Sequence, residues 1–305
     1  WIALSRDGKF LYAINEISNF GSDKTGSVTA FAVEAGGALK KLNTVGSGGA
    51  GPAYISVHPS GKFVMVANYG GGDFAVIRIK PDGSLGAISD VVKPQGPLNP
   101  ATASDNPPGQ LAPSSHAGSR GHMIGPDQSG QYVIGDDAGR DQIFVWKLDT
   151  NTGKLNQVSV AKSLPGSAPR HFVFSPDGKT MYQLQEQDSR LATYAFADGR
   201  LTLKGPTVSM LPPGYEGSNT GSELLIDKAG RYLYAGNRTQ DSIATLKVGD
   251  NAMPTRIANV PTEADNPRSL TLSPDGRFLY SLNQRGDNVT AFAIGADGVP
   301  KFTGH

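Results

Sequence analysis

Six stretches of the chain repeat one hydrophobic pattern: a short apolar run, a polar turn, then a second apolar run rich in Tyr, Phe, Leu and Val. They span 1–16, 51–69, 121–138, 169–186, 222–238 and 267–284. Each turn centres on a glycine (Gly8, Gly61, Gly130, Gly178, Gly230, Gly276), and successive glycines stand 53, 69, 48, 52 and 46 residues apart. The long second interval contains residues 93–119, dense in Pro, Gly, Ser and Asn, which read as an inserted loop. The apolar runs are short, aromatic or β-branched and bounded by turn residues, so they predict strands. In Ser175-Pro176-Asp177-Gly178 and Ser273-Pro274-Asp275-Gly276 the proline presets φ, the aspartate bonds the following backbone and the glycine supplies a positive φ. A third strand is expected at 142–146, 242–246 and 288–292. After a second turn such as Asp82-Gly83 or Asp297-Gly298, a weaker fourth is expected, at 154–158 and 201–204 in two units. Four antiparallel strands per unit of about 50 residues, repeated without any helical pattern, predict an all-β fold, a β-propeller of four-stranded blades. One propeller domain is expected over 1–305.

The repeat also predicts a site. Eight residues before the turn glycines stand Ala53, His122, Arg170, Ser222 and Arg268; eight after stand Glu16, Tyr69, Ala138, Glu186, Arg238 and Gln284. The start of the first strand and the end of the second lie side by side in a hairpin, so in a cyclic array both columns face one end of the central channel. Two acids, three arginines and a histidine there predict a concave polar site. Arg170 and Glu186 are also symmetric about Gly178, which leaves open a plain cross-strand ion pair.

Composition narrows the chemistry. Twenty-eight basic against 27 acidic residues leave a net charge of +1, so neither a nucleic-acid nor an anionic-membrane partner is expected. No apolar stretch approaches the length of a transmembrane helix. The absence of cysteine excludes disulfides, thiolate metal sites and a cysteine nucleophile. The chain opens at Trp1 without a charged-then-apolar leader, and its composition suits an exported and a cytosolic soluble protein alike. Gly46-Ser47-Gly48-Gly49-Ala50-Gly51 satisfies a dinucleotide-type glycine pattern, but a strand and not a helix is expected after it. His116 and His122, with Asp136 and Asp137 a hairpin away, form too thin a ligand set for a metal. His58 reads as a turn residue, and no serine-hydrolase elbow is present. No cofactor and no metal are expected.

The segment from Ala168-Pro169-Arg170-His171 through Asp177-Gly178-Lys179 to Glu186 resembles the seven-bladed lactonase family. That family includes propeller-type 6-phosphogluconolactonases and the fungal carboxymuconate-lactonizing enzyme. Tyr232-Leu233-Tyr234 with Asn237-Arg238, Phe278-Leu279-Tyr280 and Trp1-Ile2-Ala3-Leu4-Ser5-Arg6-Asp7-Gly8 resemble the same family, and the likeness covers essentially the whole chain. It implies seven blades where six units are visible, so the seventh is expected from strands before Trp1 and after His305. It implies catalytic roles for His122, Arg170, Glu186 and Arg238, with Glu16, Tyr69, Arg268 and Gln284 left from the same columns as substrate-binding candidates. The implied activity is hydrolysis of a sugar lactone such as 6-phosphogluconolactone, with the partner a small, anionic, sugar-derived molecule. Cycloisomerisation of a carboxymuconate is the alternative within the family. A non-catalytic binding propeller is the alternative outside it, because Met65-Val66-Ala67-Asn68-Tyr69 resembles the repeats of such modules. Glu186 or His122 would take the proton of a water, and Arg170 and Arg238 would face an oxyanion, carboxylate or phosphate.

Overall fold

The computed structural model describes residues 1–112 and 115–304. Pro113 and Ser114 of the expected insert, and any seventh sheet, lie outside the described residues. The chain groups into two compact units, one drawn from Trp1–Asn99 and Ser115–Ser163, the other from Pro100–Ser114 and Leu164–His305. No helix among the described residues is long and apolar enough to cross a membrane.

The first unit holds three antiparallel sheets whose strands neighbour each other in chain order. They are β1 (Ile2–Leu4), β2 (Phe10–Phe20), β3 (Thr25–Val33) and β4 (Leu39–Gly46); β5 (Pro52–Val57), β6 (Phe63–Asn68), β7 (Asp73–Ile79) and β8 (Leu85–Val92); and β9 (Gly121–Pro126), β10 (Tyr132–Asp137), β11 (Gln142–Asp149) and β12 (Lys154–Lys162). The second unit repeats the plan. Its sheets are β13 (Pro169–Phe174), β14 (Thr180–Gln185), β15 (Arg190–Ala197) and β16 (Arg200–Leu203), with β17 (Val208–Ser209) also on β15; β18 (Gly221–Ile226), β19 (Tyr232–Asn237), β20 (Ser242–Val248) and β21 (Pro254–Pro261); and β22 (Pro267–Leu272), β23 (Phe278–Asn283), β24 (Asn288–Ile294) and β25 (Pro300–Phe302). All the sequence-expected strands are present; β17 was not among them. The described residues of the 93–119 insert carry no strand.

The hairpins form as their residues require. In the fourth sheet Ser175 Oγ donates to Asp177 Oδ1 at 2.6 Å, the Lys179 N–H donates to the same oxygen at 3.1 Å, and the Thr180 N–H donates to Ser175 Oγ at 3.0 Å. Gly178 completes the turn at φ 70°, a left-handed conformation that a side chain would strain.

Inner strands are buried on both faces, which is why they read as unbroken apolar runs. In β6 the alternate residues Val64 and Val66 pack with Tyr12, Val28 and Ala30 of the first sheet, while Phe63, Met65 and Ala67 pack with Ile124, Val133 and Trp146 of the third. In the second unit Tyr182 and Leu184 pack against Leu224 and Leu233, and Tyr234 and Ile243 against Leu279 and Phe292. A tyrosine hydroxyl adds a polar tie from each of three sheets to the next. Tyr12 donates to Gly83 O at 3.1 Å, Tyr182 to Ala252 O at 3.0 Å and Tyr234 to Gly298 O at 3.0 Å.

Candidate functional site

Five of the six sheets share a local irregularity that positions the candidate side chains. Pairing between the first two strands slips between Pro52 and Tyr54, at His122, between Pro169 and His171, between Gly221 and Leu224, and between Pro267 and Ser269. The residues passed over are Ala53, His122, Arg170, Ser222 with Glu223, and Arg268, which is the column eight residues before each turn glycine. A β-bulge removes a residue from the ladder and re-aims its side chain, so the repeat delivers one such residue in four of these sheets and two, Ser222 and Glu223, in the fifth.

The opposite column is held just as regularly. The N–H groups of Tyr69, Ala138, Glu186, Arg238 and Gln284 donate to the carbonyls of Gly51, Arg120, Ala168, Thr220 and Asn266 at 2.8–3.0 Å. Each acceptor lies two residues before a bulge, so both columns are tied together by main chain. Glu16 departs from this plan. It lies within the eleven-residue β2 and is exposed.

In the second unit the two columns bring Arg170, Glu186 and Arg238 together. Glu186 Oε2 forms ion pairs with Arg170 Nε at 3.0 Å and Arg238 Nη2 at 3.2 Å, and only Arg238 adds a hydrogen bond to it. The Arg170–Glu186 cross-strand pair therefore exists, but the same carboxylate also takes an arginine from the neighbouring sheet. Arg238 Nη2 further donates to Gly221 O at 2.9 Å, and Arg170 Nη1 donates to Ser222 O. Arg238 Nε is buried and makes no hydrogen bond among the described residues. Arg268, half-buried, adds its charge to the field at Arg170 and Glu186. Gln284 is exposed at the end of β23.

Two further residues belong to this cluster that sequence reasoning passed over, His171 and Glu223. His171 Nδ1 lies 2.9 Å from Glu223 Oε1, and both side chains are almost wholly buried. Since a carboxylate only accepts, Nδ1 carries the hydrogen and Nε2 is left with its lone pair. Arg170 Nη1 lies 3.4 and 3.3 Å from the two ring nitrogens, so the guanidinium rests against the imidazole face. Glu223 Oε1 also accepts the Leu224 N–H at 3.1 Å, and Ser269 Oγ donates to Oε2 at 3.3 Å.

The electrostatics follow from burial among these charges. Burial, reinforced by the adjacent Arg170, lowers His171 to about 4, so it is neutral at pH 7. Burial and then the like charge of Arg238 bring Arg170 down to about 9. At Glu186 burial alone would raise the carboxyl, but the charges of Arg238, Arg170 and Arg268 outweigh it and hold the group below its ordinary range. Three guanidinium groups act here on two carboxylates, Glu186 and Glu223, leaving one positive charge in excess.

His122 lies in the first unit, buried in its bulge, with its ring 5.6 Å from that of Tyr69 in an edge-to-face contact. The Arg120 guanidinium lies over the same tyrosine ring at 5.6 Å. His116 is engaged elsewhere, with Nε2 3.2 Å from the buried Asp141 Oδ1. Among the described residues no group of three or more His, Asp or Glu side chains is placed to hold a metal ion. The glycine-rich 46–51 segment leads from β4 into β5 and so opens no helix.

A family model described as "Lactonase, 7-bladed beta-propeller" matches residues 1–304. The chain is 29% identical to a 6-phosphogluconolactonase of Formosa agariphila over 90% of its own length and 75% of the relative's. It is 27% identical to a 6-phosphogluconolactonase of Bacillus subtilis over 90% of its own length and 74% of the relative's. The structure of the periplasmic gluconolactonase PpgL of Pseudomonas aeruginosa superposes on it with a TM-score of 0.85 at 26% identity, covering 98% of this chain and 82% of that one.

Proposed function

Because the chain belongs to the family of seven-bladed β-propeller lactonases, we propose that it hydrolyses a sugar lactone, with 6-phosphogluconolactone, the compound its relatives are named for, as the leading substrate. The observation that carries this reading is the pair of arginines from adjacent sheets converging on Glu186 at 3.0 and 3.2 Å in a buried cluster with excess positive charge.

In the reaction a water oxygen bonds to the lactone carbonyl carbon, the ring C–O bond breaks, and the ring oxygen leaves as a hydroxyl on the product acid. Negative charge develops on the carbonyl oxygen as the water adds. Guanidinium groups fixed in advance suit that oxyanion, and loss of one such donor costs about 3–4 kcal/mol of barrier. Arg170 and Arg238 take this role, and Arg268 the anionic substituent of the substrate. A carboxylate held ionised by two arginines is a poor base. Glu186 therefore serves to lock the two guanidinium groups, and the proton acceptor is assigned to His122 on the family resemblance.

The test is proton release at constant pH from a panel of 6-phosphoglucono-, glucono- and carboxymucono-lactones, with wild-type protein and Arg238→Met. The phosphorylated sugar lactone should turn over fastest, and Arg238→Met should lose about a hundredfold in kcat/KM. A wild-type protein that releases no acid from any sugar lactone overturns the reading.

A further inference from the structure

The insert carries a residue that no role above uses. Gln110 fills all its hydrogen-bonding capacity on two loops of the second unit. Its Nε2 donates to Gln187 O at 2.6 Å and to Asn219 O at 2.5 Å, while its Oε1 accepts Ser218 Oγ at 2.7 Å and the Asn219 N–H at 2.9 Å. The amide has one possible orientation, because the Asn219 N–H can only donate and the two carbonyls can only accept.

These partners adjoin the candidate site on both sides. Gln187 follows Glu186, whose carbonyl accepts the Gly221 N–H at 2.9 Å. Asn219 precedes Thr220, whose carbonyl holds the Arg238 N–H at 3.0 Å. Asn219 Oδ1 accepts the N–H groups of Thr239 and Gln240 at 3.1 Å, directly after Arg238. One side chain thus bridges the loop bearing Glu186 and the loop that fixes Arg238.

The strap around Gln110 is itself fastened. Pro108 O accepts the Gly217 N–H at 2.7 Å, and the N–H groups of Leu111 and Ala112 donate to Ser218 Oγ at 3.2 and 3.1 Å. At its other end the Thr102 backbone covers Gly166, where a Cβ would stand 2.4 Å from the Thr102 carbonyl carbon. Gly166 lies four residues before Arg170, so the strap touches the approaches to all three members of the Arg170–Glu186–Arg238 cluster.

We propose that Gln110 is a positioning residue, setting the spacing of Glu186 and Arg238 by bridging Gln187 and Asn219. The proposal deepens the lactonase reading, and its effect on catalysis rests on that reading. Gln110→Glu keeps the shape but turns a carboxylate on two carbonyl oxygens; Gln110→Met removes all four bonds; Ser218→Ala loosens the strap more mildly.

The ligand-free readout is amide hydrogen exchange at Arg238, expected to accelerate at least about tenfold in both Gln110 variants and less in Ser218→Ala. The functional readout is kcat against KM on the best lactone of the panel, with kcat falling about tenfold to a hundredfold at nearly constant KM. Unchanged exchange at Arg238 overturns the proposal, as does faster exchange with kcat within twofold of wild type in folded variants. Should wild type hydrolyse no lactone, the functional reading fails, and the Arg238 exchange alone decides the positioning role. If the Gln110 variants do not fold, Ser218→Ala carries the same two comparisons.

Discussion

Arg238 and Glu186 occupy equivalent places in neighbouring sheets, each one residue beyond its second strand, and meet at 3.2 Å. Repetition thus puts a cation beside an anion simply by stepping from one sheet to the next. Arg170 then joins from the bulge of the same sheet as Glu186, at 3.0 Å. The carboxylate is the common partner of both arginines, and its removal leaves two buried cations facing each other.

Glu186→Gln should therefore be costly twice over. Breaking a buried ion pair at one partner typically costs about 3–5 kcal/mol, and here two guanidinium groups lose their anion. Turnover measured at a temperature where the variant is still folded should fall at least about a hundredfold, because the arginines no longer hold their spacing. Folded Glu186→Gln with wild-type kcat/KM would remove the carboxylate from the mechanism.

His122→Ala examines the proposed proton acceptor separately from the arginine cluster. A general base contributes roughly a hundredfold to ten-thousandfold, so kcat should drop by at least the lower figure. Wild-type kcat in folded His122→Ala would remove the histidine from the mechanism.

His171 predicts sensitivity to acid. Its folded value, about 4, lies below the ordinary histidine value of 6.5, so between them the unfolded chain takes a proton that the native protein refuses. Stability is then full above about pH 6.5 and declines as the pH falls toward 4, by on the order of 3 kcal/mol from this group. Denaturant midpoints of wild type and His171→Asn across that window check the sign: the variant should lose part of the decline.

Asp188 predicts a dependence of opposite sign. Burial raises this carboxyl from 3.8 to about 8, against the pull of Arg190. Its contribution is present at low pH and lost as the pH rises through that interval, because the unfolded chain ionises first. Asp188→Asn, which stays neutral, should raise the melting temperature at pH 8 more than at pH 5. An equal shift at both would show that Asp188 does not titrate as described.

The hairpins and the two columns of residues flanking each turn were legible because a repeat fixes spacing: Gly178 ± 8 finds Arg170 and Glu186 without knowledge of the backbone. The bulges were not, since passing over one residue leaves no mark in composition, yet they decide where Arg170 and Arg268 project. His171 and Glu223 were missed for a related reason. They stand 52 residues apart on different sheets and look like ordinary strand residues until the slip at Ser222–Glu223 brings them within 2.9 Å. The signal that existed was position, since each directly follows a bulge-column residue. Glu16 departs from the column because β2 continues past the point where its counterparts end. The insert's content announced a loop, but nothing in its residues foretold the four bonds of Gln110.

A side chain that stands outside the ladder can be exchanged without disturbing strand pairing. Within this single molecule the bulge column already carries alanine, histidine, serine and arginine on nearly the same backbone. Evolution can therefore rewrite the reactive lettering of such a scaffold one sheet at a time, while selection for folding acts on other positions.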